Sequence, residues 1–230
     1  MLLDPDKPPG NLAVIELNLK PEFLLIGGSL LVQNETEMLV DVLRKKTELP
    51  LVLFPGNSFQ LTDKADAILF LSLISGRNAE LLIGQQVITA PFLKKSGMEI
   101  VSTGYILIDS GRMTTAHYMS GTLPIPADKP EIAAATALAG EMLGMNIIYM
   151  DAGSGAEKTV PAETIAAVRE AVDIPIIVGG GMRNAKQVLN ALTAGADLVV
   201  IGTAFEKEGG DAFLSELAES SIFKRENVPQ

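Results

Sequence analysis

The chain has 230 residues, 47% of them hydrophobic, and a formal charge of −10 at pH 7, which supplies one sizeable core at the lower end of the size range of an α/β barrel. Its acidic balance, with no basic cluster, disfavours nucleic acid and anionic membranes as partners, because both are polyanions that require grouped Lys and Arg. No apolar run reaches the length of a membrane span, no signal peptide is visible and there is no cysteine, so residues 1–230 are expected to form a single cytoplasmic barrel domain with no integral membrane segment.

In chain order, short apolar or β-branched runs alternate with longer stretches of helical periodicity, the pattern of a parallel sheet with helical crossovers. Strands are predicted at Met1–Leu3, Phe23–Ile26, Leu51–Phe54, Ala67–Leu71, Ile100–Ile108, Ile147–Tyr149, Ile176–Val178 and Leu198–Ile201. Helices are predicted at Thr36–Lys46, Ala79–Lys95, Glu131–Leu143, Pro161–Val172, Asn184–Ala194 and Asp211–Phe223. Eight strands in this alternation predict a (β/α)8 barrel of the TIM type. The first strand is shorter than usual, which leads us to expect natural residues upstream of Met1. Between Phe54 and Ala67 the run Pro55-Gly56-Asn57-Ser58-Phe59-Gln60 is too turn-rich for a helix, so the ring is expected to lack a regular third helix. Residues 102–126 are β-prone and poor in helix formers, and are expected to form extra strand or loop at the catalytic face.

Two strands run directly into glycines, at Gly179-Gly180-Gly181 and at Gly202-Thr203. Glycine admits an anion close to backbone amides, and consecutive cups after the seventh and eighth strands suggest a phosphate clamp; strand–helix packing alone is the competing explanation. Asp4 and Asp6 flank Pro5 after the first strand. These carboxylates either help to hold a hard cation such as Mg²⁺ or cap the following turn. Tyr149 through Gly155 ends the sixth strand with an aromatic hydroxyl, a carboxylate and small residues. Such a loop can bind a small polyol phosphate through the amides of Gly153, Ser154 and Gly155, with Tyr149 and Asp151 on its hydroxyls, or can be a tight turn capped by Ser154. Lys7, Arg77 and Lys158 are diphosphate contacts or solvated loop charges, and Phe59, Tyr105 and Tyr118 are groove or core residues. His117, the sole histidine, lacks the neighbours of a metal site or a nucleophile triad and is expected to be structural.

Taken together, Leu3-Asp4-Pro5-Asp6-Lys7, Gly27-Gly28-Ser29, Phe54-Pro55-Gly56, Ser75-Gly76-Arg77-Asn78, Thr103-Gly104-Tyr105, Tyr149-Met150-Asp151-Ala152-Gly153-Ser154-Gly155-Ala156, Gly179-Gly180-Gly181 and Gly202-Thr203 resemble the geranylgeranylglyceryl phosphate synthases, in order and spacing, over nearly the whole chain. The AGSGA form points to the second of that family's two sequence groups, found in archaea and some bacteria. The resemblance implies a prenyltransferase that joins a polyprenyl diphosphate to the 3-hydroxyl of sn-glycerol 1-phosphate on a barrel without its third helix, where a groove takes the prenyl tail. It also implies Mg²⁺ held by Asp4 and Ser29, and glycerol phosphate bound by Tyr149, Met150, Asp151, Ala152, Gly153, Ser154, Gly155, Gly180, Gly181, Gly202 and Thr203. The commoner family pattern has Glu where this chain has Asp151, proposed here as acceptor and general base. A homo-oligomer is expected from the family. A phosphosugar isomerase or lyase on the same barrel, or a non-catalytic metabolite-binding barrel, would share the clamp. A Schiff-base aldolase is disfavoured, since every lysine lies outside the predicted strands.

Overall fold

A computed structural model describes residues 1–7 and 21–202, together with Phe213, Glu216 and Leu217. Its strands are β1 (Leu2–Leu3), β2 (Leu24–Ile26), β3 (Leu51–Leu53), β4 (Ala67–Leu73), β5 (Glu99–Leu107), β6 (Ile147–Asp151), β7 (Ile176–Gly179) and β8 (Leu198–Val200). Each pairs in parallel with the next in chain order. Leu2 donates its N–H to the Ile201 carbonyl at 2.9 Å, which returns the hydrogen bonding from the last strand to the first. The result is a nearly closed barrel of the predicted TIM type. Around it run α1 (Thr36–Arg44), a π-helical turn (Glu80–Gly84) leading into α2 (Gln85–Ser96), α3 (Thr115–Ser120), α4 (Pro130–Met142), α5 (Ala162–Ala171) and α6 (Ala185–Thr193). The predicted helix Asp211–Phe223 lies largely outside the described residues; Phe213, Glu216 and Leu217 within it are helical.

Alternation along the strands separates a core inside the barrel from cores on the helix side. Leu25, Val52, Leu69, Tyr149, Ile177 and Val200 meet inside the barrel. Their neighbours Leu24, Ile26, Leu51, Leu53 and Ile68 form a second core with α1, while Ile148, Met150, Ile176 and Val178 form a third with α4, α5 and α6. The same parity turns Asp151 to the side of Tyr149, at the C-terminal end of β6.

Residues 54–66, between β3 and β4, contain turns and no helix, in line with the gap expected there. In place of a helix, Gln60, only 2% exposed, acts as a strut. Its Nε2 donates to the Gly28 carbonyl and its Oε1 accepts the Gly56 N–H, each at 3.0 Å. The loops after β2 and β3 are thereby tied together by one buried amide with donors and acceptors matched.

The expectation for residues 102–126 needs correction. The segment begins as β5, continues through a bridge between Ile108 and Ile125, and contains α3 between them. Local capping outweighs the weak helix propensity of Thr115, His117 and Tyr118. Thr114 N–H donates to His117 Nδ1 at 3.4 Å, and Gly121 ends the helix at φ +60°, where glycine escapes the Cβ penalty. His117 is buried, and burial lowers its pKa against the opposing pull of Asp151 and Asp109.

Candidate active site

The C-terminal ends of the strands surround a cavity of about 1280 Å³. Of the residues named from sequence, Asp4, Ser29, Tyr149, Asp151, Ser154, Gly155, Gly180, Gly181 and Gly202 line it. Thr203 lies outside the described residues. Met150 and Ala152 do not line the cavity, because strand parity sends their side chains into the helix-side core. The Ala152 N–H also pairs with the Gly179 carbonyl at 3.1 Å. Nor is the Gly153 amide available to a phosphate, since it donates to Asp151 Oδ1 at 2.7 Å.

Asp151 is the best-determined group at this end. Besides Gly153, it receives the Tyr105 hydroxyl on Oδ2 at 2.5 Å. Burial raises its pKa, opposed by those two hydrogen bonds and by the charge of His117. Folding therefore tightens its hold on the proton, so its contribution to stability is fully present below the unfolded pKa and is lost as pH rises through the folded value. An Asn at this position carries no such loss and is nearly isosteric. Asp151→Asn is expected to raise Tm by a few degrees at pH 8, with the gain over wild type shrinking as pH falls through the raised carboxyl pKa. Thermal melts at several pH values check this; a gain that grew toward low pH would contradict it.

The glycines that end and follow β7 are required by close approach. A Cβ on Gly179 would sit 2.4 Å from Tyr149 Oη, one on Gly180 2.5 Å from Asp151 Oδ1 and 2.6 Å from Gly153 N, and one on Gly181 3.0 Å from the Lys158 carbonyl oxygen. The β7 loop thus presses onto the β6 loop, which brings the two halves of the proposed polyol phosphate site into contact.

Across the mouth, Asp4 lies beside the β2 loop, its Oδ1 3.5 Å from the position of a Cβ on Gly28. That oxygen accepts the Asp6 N–H at 3.0 Å, and Oδ2 faces Lys7 Nζ at 3.3 Å. Asp6 has a different task. Its carboxylate accepts the N–H groups of Val32, Gln33 and Asn34. Desolvation alone would raise its pKa, but these three donors and Lys7 outweigh it and hold the carboxyl below its ordinary value. Asp6 is therefore a staple for the β2–α1 loop. Among the described residues no three His, Cys, Asp or Glu side chains converge as a ready-made metal cage. Asp4 and Ser29 nonetheless offer two hard oxygen donors on the cavity wall, which fits a cation completed by substrate oxygens and water.

The cavity has a long apolar arm. Both inward-facing Leu69 and Leu71 and outward-facing Ile68 and Phe70 of β4 line it, joined by Leu61, Leu81 and Ile88. Exposure of both faces of one strand to a single cavity follows from the missing third helix, which would otherwise cover Ile68 and Phe70. Of the three aromatic residues left open between groove and core, Phe59 and Tyr105 line the cavity, whereas Tyr118 is 75% exposed and does not. Lys7 lines the cavity; Arg77 and Lys158 do not, and Arg77 donates to the Gly76 carbonyl at 2.7 Å. Sequence reasoning missed Arg112 and Arg183, both on the cavity wall, and nothing in their local sequence marks them.

A barrel whose strand ends carry glycine-rich loops, facing oxygen donors and an apolar arm around one cavity, defines an α/β-barrel protein with a site that is polar at one side and apolar at the other. The chain belongs to the PcrB family, whose model matches residues 1–221. It is 51% identical to the geranylgeranylglyceryl phosphate synthase of Spirosoma linguale over 212 residues, 90% of this chain and 85% of that one. The enzyme of the same name from Chitinophaga pinensis is 48% identical over 224 residues, 96% of this chain and 88% of that one. Among solved structures, (S)-3-O-geranylgeranylglyceryl phosphate synthase from Thermoplasma acidophilum in complex with sn-glycerol-1-phosphate superimposes with a TM-score of 0.87 at 32% identity, covering 95% of this chain and 90% of that chain.

Proposed function

We propose that the protein joins a polyprenyl diphosphate, geranylgeranyl first among them, to the 3-hydroxyl of sn-glycerol 1-phosphate, giving the prenylglyceryl phosphate ether and diphosphate. The observation that carries this reading is the continuity of one cavity from the glycine clamp, past Asp151 and Asp4, into the apolar arm. A phosphosugar isomerase or lyase, or a non-catalytic metabolite-binding barrel, has no use for that arm. Each prenyl methylene buried there contributes about 0.8 kcal/mol. Glycerol phosphate is anchored at its phosphate end by the loops of Ser154, Gly155, Gly180 and Gly202, which leaves its far hydroxyl directed toward the allylic carbon. Asp4 and Ser29 would hold Mg²⁺, which when bound neutralises the charge of the departing diphosphate. Lys7, Arg112 and Arg183 add positive charge around the same cavity.

We also infer a homo-oligomer, supported by the exposed apolar side chains of Ile83 and Val87, four residues apart on one face of α2 and its preceding turn. A cytoplasmic location accords with a cysteine-free chain. Among the described residues no helix is long and apolar enough to cross a membrane.

Incubation of the purified protein with Mg²⁺, labelled sn-glycerol 1-phosphate and prenyl diphosphates of several lengths tests the reaction. Label transferred to an extractable prenyl ether is the expected result; no ether at any chain length overturns the proposal.

A further inference from the structure

We infer that Tyr105, rather than Asp151, meets the acceptor hydroxyl, and that Asp151 receives the proton through it. The inference rests on the prenyl-transfer reading above and adds the route by which the acceptor loses its proton.

Both oxygens of Asp151 are already engaged, Oδ1 by the Gly153 amide at 2.7 Å and Oδ2 by the Tyr105 hydroxyl at 2.5 Å, and the residue is only 7% exposed. Tyr105 reaches the cavity from β5 and is partly exposed there. Its phenol donates to Asp151, so the lone pairs of the same oxygen remain to accept a hydrogen bond from a bound alcohol. The ring cannot swing away, being held edge-on to Phe54 at 5.9 Å and tilted against Tyr149 at 5.4 Å between centroids. A phenol fixed between a carboxylate and a cavity is the arrangement of a two-proton relay.

The protonation behaviour of the cluster fits that assignment. Tyr105, Tyr149 and His117 are the titratable groups whose charges couple to Asp151. Burial first, and the charge of Asp151 next, hold Tyr105 well above the ordinary tyrosine range. The phenol therefore stays protonated at any working pH and conducts a proton without being its final acceptor. Asp151, raised by burial, is a stronger base than a solvated carboxylate and can take the proton at the end.

In the reaction, the C3 oxygen of glycerol phosphate bonds to C1 of the prenyl chain while the bond from C1 to the diphosphate oxygen breaks, its electron pair leaving with diphosphate. The C3 hydroxyl proton passes to Tyr105 Oη, and the phenolic proton passes to Asp151 Oδ2. After the products depart, Asp151 releases its proton to water. Tyr105 is regenerated at each turnover, and no further reactant is needed.

Tyr105→Phe keeps the ring packing and removes the relay atom. Wild type, Tyr105→Phe, Asp151→Asn and the double variant are compared in the Mg²⁺-dependent ether assay with geranylgeranyl diphosphate and sn-glycerol 1-phosphate. The expected result is a kcat about 100-fold lower in Tyr105→Phe, with the glycerol phosphate KM changed less than about threefold. The double variant should be no slower than the worse single, because the two residues act as one unit. Loss of the acid limb of the kcat/KM pH profile is expected in both singles, a change that a packing role for the hydroxyl would not produce. A readout on the wild type guards against a variant that fails to fold: single-turnover rates in H2O/D2O mixtures should bow downward, as two protons in flight require, and a linear dependence overturns the relay. Wild-type ether formation with an unimpaired, folded Tyr105→Phe, or with multiplying losses in the double variant, also overturns the relay while leaving the prenyl-transfer reading intact. No ether from wild type overturns that reading itself.

Discussion

Asp4→Asn is expected to lower kcat/KM for prenyl transfer by about 10³-fold and to raise the Mg²⁺ concentration giving half-maximal rate, while leaving Tm nearly unchanged. Removing one preorganised group that stabilises developing charge costs about 10²–10³ in kcat, and a carboxylate that anchors a cation against a diphosphate belongs at the upper end. The fold has little stake in the charge. Asn retains an oxygen to accept the Asp6 N–H, now at 3.0 Å, and the ion pair with Lys7 is largely solvent-exposed, its lysine side chain 69% accessible. Asp6→Asn is the matched comparison two residues away. Its carboxylate serves the amides of Val32, Gln33 and Asn34, so this change should loosen the β2–α1 loop and leave the Mg²⁺ half-saturation value where it was. Rates measured across a Mg²⁺ titration for both variants decide the matter. Equal Mg²⁺ responses in Asp4→Asn and wild type would remove Asp4 from the cation site.

The different tasks of these two aspartates illustrate what local sequence can and cannot convey. Residue type and spacing do not separate Asp4 from Asp6; the family resemblance favoured Asp4 for the cation, and the task of Asp6 arises from backbone donors 26–28 residues further along the chain. Hydrogen bonds at that separation leave no periodicity or spacing to read. The barrel, in contrast, was legible, because strand alternation and helix periodicity are local consequences of burying one face. Even the missing third helix could be read, since Pro55, Gly56 and Asn57 break any helical run. The Gln60 strut that fills the gap could not, because its partners lie on two different loops. The direction of one side chain could have been read from strand parity: Tyr149 and Asp151 share a strand face, so Met150 between them points the other way. The short helix α3 was hidden for a different reason, its weak propensity being overridden by capping at Thr114 and Gly121. Arg112 and Arg183 reach the cavity only through the path of the folded chain, and the family resemblance rather than any motif-level chemistry pointed to the substrates.

Gly180→Ala should damage both the fold and glycerol phosphate binding, and Gly202→Ala should be the variant of the pair that reports more cleanly on phosphate. Gly180 has φ +85°, a conformation that costs an L-residue about 1–2 kcal/mol. Its added methyl would also lie 2.5 Å from Asp151 Oδ1, 2.6 Å from Gly153 N and 2.8 Å from Ala152 N, none of which is the free end of a flexible side chain. Relief requires the β6 and β7 loops to separate, so a loss of about 3 kcal/mol in stability and at least a 100-fold rise in the glycerol phosphate KM are expected. Taken alone, that result would mix collapse of the loop with loss of phosphate contacts. Gly202 separates them. Among the described residues the nearest atoms to a methyl there belong to the Leu2 side chain, at 3.6–3.8 Å, an ordinary packing distance, so stability should change by less than about 0.5 kcal/mol. If the Gly202 backbone approaches the phosphate closely, the methyl still obstructs the anion, and the glycerol phosphate KM should rise about tenfold while the KM for prenyl diphosphate holds. Urea melts together with KM values for both substrates test the pair of variants. An unchanged glycerol phosphate KM in a stably folded Gly202→Ala would mean that the cup after β8 does not grip the phosphate, and the clamp would then have to rest on the β6 and β7 loops alone.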